Sequence, residues 1–524
     1  MYLIHVRLRR PVDGEPAPEA AREILATVAP DDGVEHVTVH HVSGREAVVG
    51  LFVRAESLAV AEERGGPLPA GGPEAVAHRT ARLGAVLPET GTGPDEALRT
   101  LVHALAAGAA DPADPLCAAH LHTPPLALAA AADLAASALN PSMDSWDQAP
   151  AASALETLVT TALAAEIHPG APHPDALVTT GGTESNQLAL LLARERHAGE
   201  RHAGERHAGE GHTGERHARE GHTGERHAQE RPTGKGPLRT VVGANAHHSF
   251  RRAAWLLGLP APVVVPTPRG VLDPAALHAA LTETPGPLLV AATAGTTDEG
   301  LIDPLPALAD VCAAHGADLH VDAAYGGPLL FSRAHRPLLA GLDRARTVTV
   351  DLHKLGWQPA AAGLLAVRDT NDLAPLAHTA DYLNADDDTD AGLPDLLGRS
   401  PRTTRRPDVL KAAVTLRALG RTGLGALVDT CMDLAQDLAD RIEKAPALDL
   451  RARPVLTTVL FRPHGADDTA VAAIRRTLLT GGRAVLGRAR ADGRLWLKAT
   501  LLNPHATPGD LDQLITLVEG SAHR

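Results

Sequence analysis

The feature that most constrains the fold is an alternation of short β-branched runs with helical segments between residues 174 and 368. Seven runs predict strands, and they read ALVTT, TVVGA, PVVVPT, LLVAAT, LHVDAA, TVTVDL and LLAVR. Strands that alternate with helices build a mainly parallel sheet with helices on both faces, and this predicts the α/β class. Ligands of such sheets bind beyond the carboxyl ends of the strands, so functional side chains are expected there.

Two of the predicted strands end in residues that can carry chemistry. The segment VTVDLHKLGWQP places His353 and Lys354 at a strand exit, and the strand in LHVDAAYGG delivers Asp322. A lysine can hold pyridoxal phosphate as an imine. A carboxylate can pair with the pyridine nitrogen and keep it protonated, so that the ring accepts the electrons of a bond broken at the substrate α-carbon. The two residues together indicate a pyridoxal phosphate enzyme.

A glycine-rich turn supplies a candidate phosphate site. In TTGGTESN, Gly181 and Gly182 allow close backbone approach, and Thr183 adds a hydroxyl where the strand gives way to the helical QLALLLARER. Free N–H groups and the helix dipole favour an anion at such a helix N-terminus. Singly, each element has an ordinary explanation as a surface lysine, a helix cap or a common turn. Their order within one α/β region favours the cofactor site.

With these motifs the chain resembles the group II pyridoxal-dependent amino acid decarboxylases of fold type I, over roughly residues 100–520. The segments HVDAAYGG and DLHK are the most specific, and Ala324 and His353 within them are expected to contact the cofactor. The resemblance assigns the histidine that stacks on the cofactor ring to His247 in NAHHSF, and the threonine beside the ring to Thr296 in ATAGTTDEG. It also implies a homodimer and a reaction that releases carbon dioxide and a primary amine.

A further segment, HTADYLNADDD at 378–388, resembles the mobile catalytic loop of that family. There a tyrosine protonates the α-carbon after carbon dioxide leaves, and the matching residue is Tyr382. Relatives with phenylalanine at this position tend to make aldehydes, so tyrosine favours simple amine formation. The alternative is a surface tyrosine on an acidic loop. Against it, the chain has only 3 Tyr, 4 Trp and 4 Phe, and several of them fall inside the motif segments.

The substrate is indicated only by subfamily motifs. The segments NPSMDSWDQAP, ADYLN and TTRRPDVLK resemble the bacterial branch that decarboxylates 2,4-diaminobutyrate and lysine, which favours a diamino acid. Pro407 departs from that branch, because an aromatic residue is usual after the paired arginines. An aromatic or acidic amino acid is the alternative substrate. The same fold also hosts aminotransferases, lyases and aldehyde synthases, and a non-catalytic cofactor-binding scaffold is a third interpretation of the chain.

Charge and cysteine content argue against several classes of protein. The net charge of −14 disfavours nucleic acid and anionic membranes as partners. The three cysteines, Cys117, Cys312 and Cys431, are widely spaced, so neither a disulfide framework nor a metal site is expected and a cytoplasmic location is favoured. No apolar span is long enough to predict a signal peptide or a membrane helix.

Changes in pattern predict four parts of the chain. Residues 1–73 form an α+β appendage of unknown role, 74–165 a helical segment that packs on the dimer partner, 166–378 the cofactor-binding domain, and 379–524 the catalytic loop with a smaller α+β domain. Within the third part, residues 197–234 carry a pentapeptide repeat that begins HAGERHAGE. Five residues advance about 140° around a helix, so its histidines share no face. A low-complexity insert is therefore favoured over a metal site.

Overall fold

The computed structural model describes residues 2–9, 34–43, 46–53, 66–209, 236–378, 380 and 382–522. Much of the predicted N-terminal appendage, including residues 10–33, and residues 210–234 of the repeat lie outside these ranges. The predicted boundaries near residues 73, 165 and 378 stay predictions. Among the described helices, none is both long and apolar enough to cross a membrane.

The N-terminal part contains a small antiparallel sheet followed by helices. Its strands are β1 (Tyr2–Arg9), β2 (Val34–Ser43) and β3 (Glu46–Val53), in the order β1-β3-β2. The elements that follow are α1 (Gly72–Ala81), α2 (Pro94–Gly108), β4 (Cys117–Ala118), α3 (Ala127–Leu139) and α4 (Pro150–Ile167). Neither α1 nor α2 has a buried residue, so these two helices lack a packed face within the described part of the chain.

A seven-stranded sheet carries the candidate site. Its strands are β5 (Asp175–Thr179), β6 (Arg239–Gly243), β7 (Val263–Val265), β8 (Leu288–Thr293), β9 (Asp318–Ala323), β10 (Thr347–Asp351) and β11 (Gly363–Val367). They lie in the order β5-β11-β10-β9-β8-β6-β7, and only β11 runs antiparallel to its neighbours. The seven strands match the seven predicted runs, which confirms the mainly parallel α/β sheet.

The strands are buried on both faces, which explains their continuous apolar runs. Val290 of β8 joins one hydrophobic cluster, whereas its neighbours Leu289 and Ala291 join another on the opposite face. The helices after these strands are α5 (Gly182–Gly209), α6 (Ser249–Leu256), α7 (Pro274–Glu283) and α8 (Leu305–His315). Against this apolar background, two polar residues of β9, His320 and Asp322, are conspicuous because both are buried.

The C-terminal part builds a second, mixed sheet. Its elements are α9 (Asp386–Asp390), α10 (Val409–Lys444), β12 (Leu448–Leu450), β13 (Thr458–Pro463), α11 (Asp468–Thr480), β14 (Val485–Ala491), β15 (Arg494–Thr500) and α12 (Pro508–Ala522). The strand order is β12-β13-β15-β14-β4, so β4 from the N-terminal part completes the sheet. Gly420 interrupts α10 with φ of 59°, a left-handed conformation that favours glycine.

Candidate active site

The predicted site residues converge on a cavity of about 260 Å³ at the edge of the seven-stranded sheet. The strands β5, β8, β9 and β10 all end at this edge, since they run parallel, and the turns after them supply the walls. Eight predicted residues line the cavity, namely Gly181, Gly182, Thr183, His247, Asp322, Ala324, His353 and Lys354. The sheet topology therefore brings together side chains that are far apart in sequence.

Lys354 stands just beyond the end of β10 and is held there by a carboxylate. Its Nζ lies 2.9 Å from Oδ2 of Asp351, the last residue of the strand. Asp351 is buried, and its Oδ1 has no hydrogen-bond partner among the described residues. The Nδ1 atom of His353 lies 2.8 Å from the Ala362 carbonyl, which fixes the ring beside the lysine. Lys354 and His353 are thus both held at the strand exit that borders the cavity.

Asp322 presents a carboxylate that two N–H groups stabilise. The Ala324 backbone N–H donates to Oδ1 at 3.1 Å, and the Asn186 side-chain amide donates to Oδ2 at 2.8 Å. The residue is only 6% exposed. A buried carboxylate is costly unless hydrogen bonds compensate it, and these two donors do so. Asp322 is therefore suited to hold a protonated pyridine nitrogen.

His247 lines the same cavity. Burial lowers the pKa of its imidazole from the ordinary value, although the nearby negative charge of Asp322 acts in the opposite direction. The ring is therefore neutral at pH 7. Its Nδ1 lies 2.9 Å from the Ser249 hydroxyl, which fixes the ring plane. A neutral, oriented aromatic ring in the wall fits the predicted stacking on a planar cofactor.

The glycine turn leaves room that side chains would fill. A Cβ atom on Gly181 would lie 2.8 Å from Cε1 of His353, and one on Gly182 would lie 3.1 Å from Cβ of Ala324. Helix α5 begins at Gly182, and the first N–H groups of a helix have no partner within it. This turn, the lysine and the carboxylate of Asp322 fit the phosphate, aldehyde and pyridine nitrogen of pyridoxal phosphate.

Four residues in or next to the cavity were not predicted from the sequence: Asp351 and Tyr325 line it, while Asn186 and Lys498 contact residues that do. Asp351 stands inside the VTVDLHK segment, so its position at a strand end was a usable signal. Asn186 follows Thr183 by one helical turn and was a weaker signal. Tyr325 and Lys498 depend on distant partners. The Tyr325 hydroxyl bonds Thr457 and Thr458. Lys498 donates to the carbonyl of Thr297 at 2.9 Å, and burial lowers its pKa.

Two predicted residues do not line this cavity. Thr296 is buried, and its hydroxyl accepts a hydrogen bond from the Leu301 N–H at 3.0 Å. It lines a neighbouring cavity of about 330 Å³, which His247 also borders, while Thr293, Gly295 and Thr297 line the cavity around Lys354. Its hydroxyl is used by the backbone of its own loop, and the expected contact between Thr296 and the cofactor ring stays a prediction.

Tyr382 is the second residue outside the cavity. Its side chain is 81% exposed, and it lies in a turn before the acidic helix α9. Within one chain, its hydroxyl is therefore not assembled with Lys354. Tyr382 was predicted because its segment resembles the catalytic loop of the family. In the structure of a single chain, this tyrosine does not lie in the cavity.

Comparisons with known proteins identify the family of the chain that forms this cavity. The model of the pyridoxal-dependent decarboxylase conserved domain matches residues 86–464. An L-2,4-diaminobutyrate decarboxylase of Rhizobium meliloti (strain 1021) is 38% identical over 456 residues, which cover 83% of each chain. These matches are long enough to include the whole wall around Lys354.

Two solved structures share the fold. The glutamate decarboxylase domain of a diaminobutyrate-pyruvate transaminase and L-2,4-diaminobutyrate decarboxylase from Vibrio parahaemolyticus is 31% identical with a TM-score of 0.73, covering 89% of this chain and 93% of that one. The Oryza sativa TDC with PLP and tryptamine is 23% identical with a TM-score of 0.77, covering 89% and 95%, and shows the fold alone. The sheet, the cavity and these matches agree, and the chain belongs to the pyridoxal-dependent decarboxylase family, whose members are carboxy-lyases that use pyridoxal 5'-phosphate.

Proposed function

We propose that the enzyme decarboxylates an L-diamino acid of the 2,4-diaminobutyrate or lysine type, releasing carbon dioxide and a primary amine. The observation that carries this proposal is the 38% identity to a named L-2,4-diaminobutyrate decarboxylase over a span that includes the cavity around Lys354. The similar solved domain from Vibrio parahaemolyticus carries the same activity in its name. The subfamily motifs found in the sequence support the same substrate class.

The residues of the cavity divide the work of holding the cofactor. Lys354 would bind its aldehyde carbon covalently, and Asp322 would hold the proton on the pyridine nitrogen. His247 would cover one face of the ring, while Gly181, Gly182 and Thr183 would hold the phosphate. Pyridoxal phosphate, when bound, supplies a ring that accepts the electron pair left behind as the substrate carboxylate departs.

The remaining steps fall to charged and hydroxyl groups of the chain. Lys498 is suited to receive the substrate carboxylate, because its ammonium group is buried beside Thr297 of the cavity wall. Tyr382 is the proposed acid that returns a proton to the α-carbon. Since its side chain is 81% exposed, it has to reach a cavity by movement of its segment or by insertion into a neighbouring subunit.

We further propose a homodimer. The apolar side chains of Leu87, Leu98 and Leu105 are 93%, 68% and 75% exposed, and they lie in or between the unpacked helices α1 and α2. A concentration of exposed large apolar side chains on one segment of chain is typical of an interface. Light scattering on the purified protein should give about twice the chain mass of 54.4 kDa. A mass of one chain at micromolar concentration would contradict the proposal.

A cytoplasmic location is proposed as well. Cys117, Cys312 and Cys431 are free thiols in the structure, as expected in a reducing compartment. Fractionation of the producing cell should recover the protein with cytoplasmic markers, and recovery with membranes or in the medium would contradict this.

The first experiment is a carbon dioxide release screen of the protein loaded with pyridoxal phosphate. The substrates are 2,4-diaminobutyrate, ornithine, lysine, glutamate, aspartate, tyrosine, tryptophan and phenylalanine, with Lys354→Ala as the blank. Release from diamino acids alone is expected. Release only from an acidic or an aromatic amino acid would keep the reaction and refute the substrate class. Bound cofactor with no release from any of them would refute the proposed reaction for all these substrates.

A further inference from the structure

Asn186 is a fully buried amide at the back of the cofactor cavity, with all of its hydrogen-bonding capacity in use. Its Nδ2 donates to Asp322 Oδ2 at 2.8 Å and to Ser249 Oγ at 2.9 Å. Its Oδ1 accepts from Thr349 Oγ1 at 2.8 Å and lies 3.0 Å from His320 Nε2. An amide has two N–H donors and two acceptor sites, so no capacity remains.

The contact with Asp322 fixes which way the amide points. An ionised carboxylate only accepts hydrogen bonds, so the group facing it has to be the amide NH₂. Oδ1 then faces His320, whose Nε2 must carry a proton. Burial lowers the pKa of His320 to about 4, so the ring is neutral and has one N–H. Its other nitrogen, Nδ1, is free to accept from the Thr347 hydroxyl at 2.8 Å.

The four partners of Asn186 come from three different elements. Asn186 itself lies on α5, Asp322 and His320 on β9, Thr349 on β10, and Ser249 at the start of α6. Ser249 is also the hydroxyl that bonds Nδ1 of His247. One amide therefore connects the carboxylate proposed for the pyridine nitrogen with the imidazole proposed for the ring face.

We propose that Asn186 is a positioning residue that sets Asp322 and His247 in register around the cofactor ring. Without its amide, Asp322 keeps one donor, the Ala324 N–H, and can turn away from the ring nitrogen. The Ser249 hydroxyl, which contacts Nδ1 of His247 together with the Ser249 N–H, loses its Asn186 donor at the same time. The proposal concerns cofactor binding, so it does not depend on which amino acid is decarboxylated.

The test compares cofactor affinity in variants of the full-length protein. Asn186→Leu keeps the branched shape and the number of heavy atoms of the side chain and removes every hydrogen bond of the amide. Thr349→Val is the matched control, because it removes a buried hydrogen bond to the same amide without touching Asp322. Titration of the apo-protein with pyridoxal phosphate, followed by visible absorbance, should show roughly tenfold to a hundredfold weaker binding for Asn186→Leu. Thr349→Val should stay within about threefold of the wild type.

A double-mutant cycle with Asp322→Ala separates positioning from general stability. In the Asp322→Ala background, Asn186→Leu should weaken cofactor binding by a factor at least about threefold smaller than in the wild-type background, since only its effect on His247 remains. The band of the bound cofactor should also shift in the single variant Asn186→Leu and not in Thr349→Val. Thermal unfolding of each apo-protein reports the structural contribution by itself.

Three results would overturn the proposal. The first is a cofactor affinity and spectrum in Asn186→Leu equal to those of the wild type. The second is a double-mutant cycle in which the effects of Asn186→Leu and Asp322→Ala on affinity are additive. The third is a loss of affinity in Thr349→Val as large as that in Asn186→Leu. If Asn186→Leu does not fold, Asn186→Ser takes its place under the same criteria, since a serine hydroxyl is too short to span Asp322 and Ser249. Because no substrate is used, a wrong substrate class in the release screen would leave this outcome unaffected.

Discussion

The cavity around Lys354 and the segment around Tyr382 differ in how they hold the side chains proposed to function there. The first fixes them in place, and the second leaves its tyrosine exposed. In the cavity, Lys354, Asp322 and His247 are each fixed by named partners at 2.8–3.1 Å, on the ends of buried strands or the turns after them. Tyr382 is 81% exposed, next to an acidic helix that has no buried residue. A planar cofactor requires groups that are already in place. A proton donor that acts after carbon dioxide leaves can arrive from an exposed segment.

The largest effect is expected from the cavity. Lys354→Ala removes the amine proposed to hold the cofactor, so carbon dioxide release should fall at least about a thousandfold, and the visible imine band should disappear. The measurements are a release assay and an absorbance spectrum of the protein loaded with cofactor. Lys444→Ala, at the exposed end of α10, is the matched control and should match the wild type. Substantial activity in Lys354→Ala would mean that another amine is used.

The exposed segment is tested by Tyr382→Phe. Loss of a general acid should lower the rate of amine formation about a hundredfold and divert product toward aldehyde. Cofactor affinity and the unfolding midpoint should not change, because the hydroxyl makes no contact with the cavity in one chain. Amine and aldehyde are quantified by chromatography. Unchanged amine formation would show that Tyr382 is only a surface residue, and the contrast between the two regions would then lose its functional meaning.

Sequence patterns predicted the fold well where strands were continuous apolar runs. All seven strands of the large sheet were found this way, whereas β4 was missed because a strand of two residues has no periodicity. In the site, motif residues at strand ends were predicted because parallel strands end at one edge. Lys498 and Tyr325 could not be predicted in this way. Lys498 contacts Thr297 and Tyr325 contacts Thr457, and both partners are distant in sequence.

Tyr382 shows a different limit of prediction. The motif around it was recognised, but a motif does not state which cavity a side chain reaches. Thr296 and Thr297 make the same point on a smaller scale. Both residues line the neighbouring cavity, but of the two only Thr297 also lines the cavity around Lys354, and the backbone path of the loop decides this.

Acid should destabilise the cavity region through His320. Unfolded histidine takes up a proton below pH 6.5, whereas buried His320 stays neutral until its pKa of about 4. Folding stability is therefore fully retained above pH 6.5 and is lost progressively as pH falls toward 4, by about 2 kcal/mol at pH 5 from this residue. Urea unfolding at pH 7 and pH 5 measures the difference. His320→Gln should show a smaller loss between these pH values than the wild type, and an equal loss would contradict the assignment.

The smallest effect is expected from the same Tyr→Phe substitution in the cavity region, at Tyr325. Tyr325→Phe removes a hydroxyl that bonds the hydroxyls of Thr457 and Thr458 and accepts from the Thr457 N–H. Burial raises the pKa of Tyr325 to about 12, so this hydroxyl is protonated near neutral pH and has a structural role there. Leaving the buried N–H without a partner should lower the free energy of unfolding by about 1 kcal/mol. Urea unfolding checks this.

The product ratio in Tyr325→Phe should stay that of the wild type, because no proton of this hydroxyl is used in the reaction. The two Tyr→Phe variants would then give opposite signatures: lower stability with unchanged product for Tyr325, and unchanged stability with altered product for Tyr382. If Tyr325→Phe instead diverted product toward aldehyde, the proton donor would lie in the cavity wall. Catalysis would then be complete within the buried region, and the exposed segment would have no part in the chemistry.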